Sequence, residues 1–108
     1  MLTQADPKGD SNLIRLVDHF DERGHICLVF EAMEMNLRQL LKKFGRDIGF
    51  RVDAVAILAR KILKALLLLK KNEIIHADLK PDNILVDAEL KRVKVADLGS
   101  AFRYLHFQ

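Results

Sequence analysis

The sequence predicts an α+β domain. Three features carry that expectation: two β-branched and aromatic stretches split by a polar turn near the N-terminus, two central segments with helical apolar spacing, and short apolar pieces separated by polar loops in the last third. At 108 residues the chain is one small domain or part of a larger one, not two independent cores. Half of it is apolar and 31% is charged, which is globular rather than disordered composition.

The elements follow in order. Pro7, Gly9, two Asp and a Ser-Asn pair make the first dozen residues a surface loop. Leu13 to Phe20 reads as a strand, Asp21-Glu22-Arg23-Gly24 as a turn, and Ile26 to Phe30 as a second strand, together an antiparallel hairpin. Asn36 is a helix N-cap with Gln39 three positions on, as in a capping box. Leu37, Leu40, Leu41 and Phe44 then recur at helical spacing, and Gly45 closes the segment. A longer helix is expected from about Val52 to Lys71, with Val55, Ala59, Ile62, Leu66 and Leu69 on one face. Ile57, Leu58 and Leu63 widen the apolar stripe enough that the helix should pack on two sides. Beyond Asn72 come the short pieces Ile74-Ile75, Ile84-Leu85-Val86 and Val93-Lys94-Val95-Ala96, the last two joined by the turn Asp87 to Lys91.

Composition excludes several classes. Eighteen Lys and Arg against fifteen Asp and Glu leave +3, far from the dense basic stripe of a dedicated nucleic-acid binder. One cysteine, Cys27, forbids an internal disulfide, and with four scattered histidines it leaves no zinc-ligand spacing. The longest large-apolar run, Leu66 to Leu69, is too short for a bilayer, and the N-terminus has no basic and apolar regions of a signal peptide. A soluble intracellular protein with no membrane or direct nucleic-acid partner is expected; nothing indicates an oligomeric state.

The chemistry concentrates in His76-Ala77-Asp78-Leu79-Lys80-Pro81-Asp82-Asn83, a polar loop between the long helix and a short apolar strand. It puts an acid, a cation and an amide within six positions. Fourteen residues after Asn83, directly behind a strand, comes Asp97-Leu98-Gly99. Carboxylates and an amide on loop ends suit Mg²⁺, a hard cation wanting oxygen ligands, and a nearby lysine can neutralise a transferring phosphoryl group. A solvated Asp/Lys/Asn turn would explain each residue singly but not the ordered set.

That set resembles the catalytic and metal-binding loops of protein kinases, which makes the expected fold a partial protein-kinase-like one. The resemblance implies Asp78 as the catalytic base toward a substrate hydroxyl and Lys80 as the cation at the γ-phosphate of ATP, with Asn83 and Asp97 as ligands of Mg²⁺. Asp-Leu-Lys-Pro-Asp-Asn is similar to serine/threonine rather than tyrosine kinases. Upstream, Leu28-Val29-Phe30-Glu31-Ala32-Met33 resembles the fifth strand and hinge. Phe30 then takes the gatekeeper position, the backbone groups of Glu31 and Met33 face adenine, Leu85 floors the adenine pocket, and Ala96 precedes the metal-binding Asp. His76, Leu98 and Leu16 match the hydrophobic spine. The implied layout is 1–31 as N-lobe strands, 32–35 as hinge and 36–108 as the start of the C-lobe.

Ala5-Asp6-Pro7, Leu28 to Glu31, Met35-Asn36-Leu37-Arg38 and His76-Ala77-Asp78 together resemble the pre-mRNA-processing serine/threonine kinases, relatives of the dual-specificity tyrosine-regulated kinases in the CMGC group. The resemblance implies splicing factors as protein substrates and a nuclear location. Two positions depart from the wider kinase pattern. Ala77 stands where many kinases carry an arginine that clamps an activation-loop phosphate, and Leu98 replaces the usual Phe beside the metal-binding Asp.

None of the five glycines builds a phosphate-cradling Gly-x-Gly-x-x-Gly cluster, no Val-Ala-x-Lys strand is present, and nine residues follow Gly99 without an Ala-Pro-Glu. The chain thus resembles the middle of a kinase domain. Five or six large side chains of the long helix would be left exposed at about 1.5–3 kcal/mol each, against a typical net stability of about 5–15 kcal/mol. Residues 1–108 alone are therefore expected to be marginally folded, poorly soluble and inactive. The competing expectation is a truncated, non-catalytic protein that binds partners through kinase-like surfaces, or a gene remnant. RNA binding through the basic helices is the weakest reading, because Tyr104 and the six Phe look mostly like core residues.

Overall fold

Two strands that close on a two-residue loop begin the ordered architecture: β1 (Leu16–Glu22) and β2 (His25–Phe30) pair antiparallel, with Glu22 opposite His25. The computed structural model describes residues 6, 9–44 and 50–103. Both loop residues have positive φ, Arg23 at 53° and Gly24 at 82°, the mirror-image turn whose twist matches that of the strands. The register shifts between Leu16 and Asp18, leaving Val17 as the extra residue of a bulge.

A second sheet positions the chemistry. β3 (Met35–Asn36), β5 (Ile84–Val86) and β6 (Val93–Val95) lie in the order β3-β5-β6, all antiparallel. Beyond β6 the segment around Leu13 runs parallel to it, with Ile14 N–H donating to Val95 C=O at 2.8 Å and Val95 N–H to Asn12 C=O at 2.7 Å. The hairpin thus grows out of the edge of this sheet.

Helix α1 (Leu37–Phe44) starts at the expected capping box. Gln39 N–H donates to Asn36 Oδ1 at 2.8 Å, and Asn36 N–H donates to Gln39 Oε1 at 2.8 Å, so two orphan amides are satisfied reciprocally. Gly45, expected to close this helix, lies outside the described residues, as does Tyr104. Helix α2 (Val52–Lys71) has the expected bounds. It ends on Asn72, whose side-chain amide donates to Leu68 C=O, and on Glu73 at φ 59°.

The inward face of α2 matches the expected one at Ile62, Leu66 and Leu69 but not before them. Leu58, Ala65 and Leu69 are buried, with Ala54 and Ile62 partly so, whereas Val55 and Ala59 are exposed. Two stripes of α2 are comparably apolar, and among the described residues only one has a sheet to pack on. The other, with Val52, Val55, Leu63 and Leu67, faces outward. The phenylalanines also depart from expectation: Phe20, Phe30, Phe44 and Phe102 are exposed.

The core sits between the helices and the second sheet. One cluster joins Leu37 and Leu40 of α1, Leu58 of α2, Ile84 and Val86 of β5, Leu90 and Val93. A second joins Leu13, Ala65, Leu69 and Val95. Ile62 packs against both. Leu40 is 1% exposed, so Leu40→Ala should cost about 2–5 kcal/mol through lost transfer energy and a cavity, read as a lower denaturant midpoint with unchanged slope.

The loop before β1 is knotted on Asp6. Its carboxylate accepts the backbone N–H groups of Asp10 and Ser11 and the Ser11 hydroxyl. Burial pushes the Asp6 pKa up, but these hydrogen bonds and the Lys94 ammonium outweigh it and hold the pKa below the ordinary carboxylate value. The resulting stabilisation is present at neutral pH and is lost as pH falls through the depressed pKa. Asp6→Ala should therefore lower stability by about 1–2 kcal/mol at pH 7. The gap to the parent protein should close in acid, which chemical denaturation at several pH values measures.

Candidate functional site

Two loops meet because the strands around them pair. β4 (Ile74–Ile75) leads into His76-Ala77-Asp78, and β7 (Phe102–Arg103) follows Asp97-Leu98-Gly99. β4 and β7 are antiparallel, Ile75 opposite Phe102. His76, 5% exposed, bridges the loops. Its Nδ1 accepts the Asp78 N–H at 3.1 Å, which leaves the proton on Nε2, and Nε2 donates to Ala96 C=O at 2.7 Å. The residues immediately beyond those two anchors hold left-handed backbone, Ala77 at φ 72° and Asp97 at φ 58°. Such conformations cost about 1–3 kcal/mol each and persist only where the surroundings over-determine them.

Asp78, Lys80 and Asn83 lie together. Pro81–Asn83 form one 3₁₀ turn, with Asn83 N–H donating to Lys80 C=O at 2.9 Å. Buried Asn83 turns its amide NH₂ onto Asp78, 2.8 Å from the backbone oxygen and 3.2 Å from Oδ2. The other carboxylate oxygen of Asp78, Oδ1, is 3.5 Å from Lys80 Nζ. Asn83 C=O accepts the Ala96 N–H at 2.8 Å, tying this loop to the residue before Asp97. On the outer side Arg38 of α1 pairs with Asp82.

A cleft of about 370 Å³ opens between the hairpin, Leu85 and the Asp97 loop, lined by Ile14, Leu28, Phe30, Leu85, Ala96, Asp97, Leu98 and Gly99, and Asp78, Lys80 and Asn83 do not line it. Five of the residues singled out in the sequence, Phe30, Leu85, Ala96, Asp97 and Leu98, thus line one apolar cavity. Glu31 and Met33 do not line it. Glu31 directs its carboxylate onto the Arg15 backbone N–H, Arg92 and Lys94, and Met33 is half-buried. Ile14 is a lining residue that sequence reasoning passed over, and Leu28 figures there only as part of a strand, since both read as ordinary strand positions.

The donor set fits a magnesium ion shared with a phosphate-bearing ligand. Asn83 spends its NH₂ on Asp78, which leaves its acceptor oxygen for a cation, and Asp97 uses Oδ1 on the Gly99 N–H at 3.2 Å, leaving Oδ2. No cluster of three or more His, Cys, Asp or Glu able to hold a metal exists among the described residues. A site of one amide and one carboxylate that relies on ligand phosphates and water for its remaining oxygens is how Mg²⁺ is commonly held. No helix among the described residues is long and apolar enough to cross a membrane.

A family model described as the protein kinase domain matches residues 3–106. The chain is 47% identical over 91 residues to the serine/threonine-protein kinase prpf4B of Dictyostelium discoideum, covering 84% of this chain and 11% of that protein. It is 45% identical over 100 residues to the serine/threonine-protein kinase prp4 of Schizosaccharomyces pombe, covering 93% and 21% respectively. Over 98 residues it is 40% identical to a dual specificity protein kinase YAK1 homolog of Arabidopsis thaliana, covering 89% and 10%. The chain therefore spans between about a tenth and a fifth of the length of these curated relatives.

Proposed function

The chain belongs to the protein kinase family, and from that premise we propose that it is the central segment of a serine/threonine kinase domain, with its hinge at 32–35 between N-lobe strands and the start of the C-lobe. The observation that carries the proposal is the convergence of Asp78, Lys80 and Asn83 on one loop, bridged through His76 to the strand end that bears Asp97.

In this reading ATP enters the cleft with its adenine between Phe30 and Leu85 and its phosphates toward Asp97; the backbone of Glu31 and Met33 is assigned to adenine from the resemblance alone. Asn83 and Asp97 would hold Mg²⁺, which when bound neutralises phosphate charge. Lys80 lies beside Asp78 and offers its ammonium to the γ-phosphate. Asp78 orients a serine or threonine hydroxyl and accepts its proton as the oxygen bonds to the γ-phosphorus. The bond from that phosphorus to the β–γ bridging oxygen breaks, and ADP departs. The carboxylate of Asp78 is aimed from both sides, by the Asn83 amide and the Lys80 ammonium, so little reorganisation is needed.

The 108 residues contain no glycine-rich phosphate loop, so transfer is assigned to a domain that includes this segment and not to residues 1–108 by themselves. Splicing factors as substrates and a nuclear location form part of the proposal, supported by the likeness to the pre-mRNA-processing kinases. Transfer of labelled γ-phosphate to serine- and threonine-containing protein tests it. The protein purified at its natural length should label such substrates only with Mg²⁺ present, and residues 1–108 alone should not. Absence of transfer by the natural-length protein would instead favour the non-catalytic, partner-binding reading.

A further inference from the structure

The reaction above leaves one charged cluster unused. Glu31 follows β2 and directs its side chain, 20% exposed, onto two other segments of the chain. Oε1 accepts the Arg15 backbone N–H at 3.0 Å and lies 3.5 Å from Lys94 Nζ; Oε2 accepts from Arg92 at 2.9 Å. Arg92 also reaches Ala32 C=O at 3.3 Å, and Lys94 donates to Gly9 C=O at 3.1 Å. Backbone adds one more tie, Glu31 N–H to Arg15 C=O at 3.0 Å.

Lys94 is the unexpected member. It is the middle residue of β6, and alternation with Val93 and Val95 turns it to the opposite face, where a lysine ordinarily meets water. Here its side chain is only 11% exposed. A buried ammonium is tolerated when its partners are fixed, and removing one partner leaves an uncompensated charge. The cluster therefore resists partial opening. It joins the hinge, the loop before β1, and a strand whose last residue is two positions before Asp97.

We propose that Glu31, Lys94 and Arg92 form a latch that fixes the hinge relative to Asp97, and hence the adenine end of the cleft relative to its phosphate end. Glu31, through its side chain, and Lys94 are then positioning residues for the nucleotide, an assignment that rests on the kinase reading. With the latch open, a ligand held at both ends loses its fixed span, whereas one held at the hinge alone does not.

The test compares Mg·ATP with adenosine, which has no phosphates to reach Asp97, by calorimetric titration of the natural-length protein. Lys94→Met, which keeps the apolar stem, should weaken Mg·ATP binding by about tenfold and leave adenosine within about twofold. Glu31→Gln, which can still accept the Arg15 N–H, should give a smaller loss of the same selectivity and guards against a folding failure in the first variant. Equal losses for both ligands, or no loss for either, would overturn the latch. Failure of the unaltered protein to bind either ligand would overturn the kinase reading itself.

Discussion

On the kinase reading proposed above, Asp78→Asn in the natural-length protein is expected to slow phosphoryl transfer by about 10²–10⁴-fold, the usual worth of a positioned general base. The amide keeps the shape of the carboxylate and one acceptor oxygen but cannot take a proton from a substrate hydroxyl. Structural cost should be slight. The Asp78 side chain is 38% exposed and its pairing with Lys80 spans 3.5 Å, an arrangement worth about 0–1 kcal/mol. The variant should thus retain its melting temperature and its affinity for Mg·ATP while kcat collapses. Single-turnover kinetics with a serine-containing substrate separates these quantities. An unchanged kcat would remove Asp78 from the reaction.

His76→Phe should have the largest effect on stability among the loop residues. An aromatic ring still fills the site, but Ala96 C=O and Asp78 N–H lose the partners they have at 2.7 Å and 3.1 Å. Each orphaned group costs about 1–3 kcal/mol, so a loss of about 2–6 kcal/mol is expected from chemical denaturation. The bridge also restrains the left-handed backbone at Ala77 and Asp97. Activity should therefore fall further than the unfolded fraction accounts for, even at temperatures where the variant remains folded. A variant of parental stability and kcat would show that β4–β7 pairing alone aligns the two loops.

Local rules reached much of this architecture from the residues themselves. Asn36 and Gln39 announce a capping box and make both of its hydrogen bonds. The Val52–Lys71 helix has the bounds its pattern implies, and its last turn carries Lys70 and Lys71, which suit the helix dipole. The facing of that helix was not accessible in the same way. Val55, Ala59, Leu63 and Leu67 are as apolar as the stripe that packs, and only the position of the second sheet decides between them. Burial of Lys94 was equally hidden, because a lysine in mid-strand signals a wet face unless the chain brings Glu31 and Gly9 to it from a distance.

The site divides along the same line. Asp78, Lys80 and Asn83 are close in sequence, so their spacing and one 3₁₀ turn nearly determine their proximity. The Asp97 loop is tied to theirs through tertiary structure, by strand pairing and by the His76 hydrogen bond to Ala96 C=O. Phe30 and Leu85 lie 55 positions apart and meet only as walls of the cleft. For them, resemblance to a known family supplied what residue spacing could not.

Metal-dependent nucleotide binding tests the central claim most directly. Calorimetric titration of ATP into the natural-length protein, with Mg²⁺ and with chelator, should show tighter binding when the metal is present. Asp97→Ala should abolish that difference while leaving the weaker, metal-free affinity in place. Equal affinity with and without Mg²⁺, or a metal effect that survives Asp97→Ala, would contradict the assignment of Asp97 and Asn83 to the magnesium ion of a bound nucleotide.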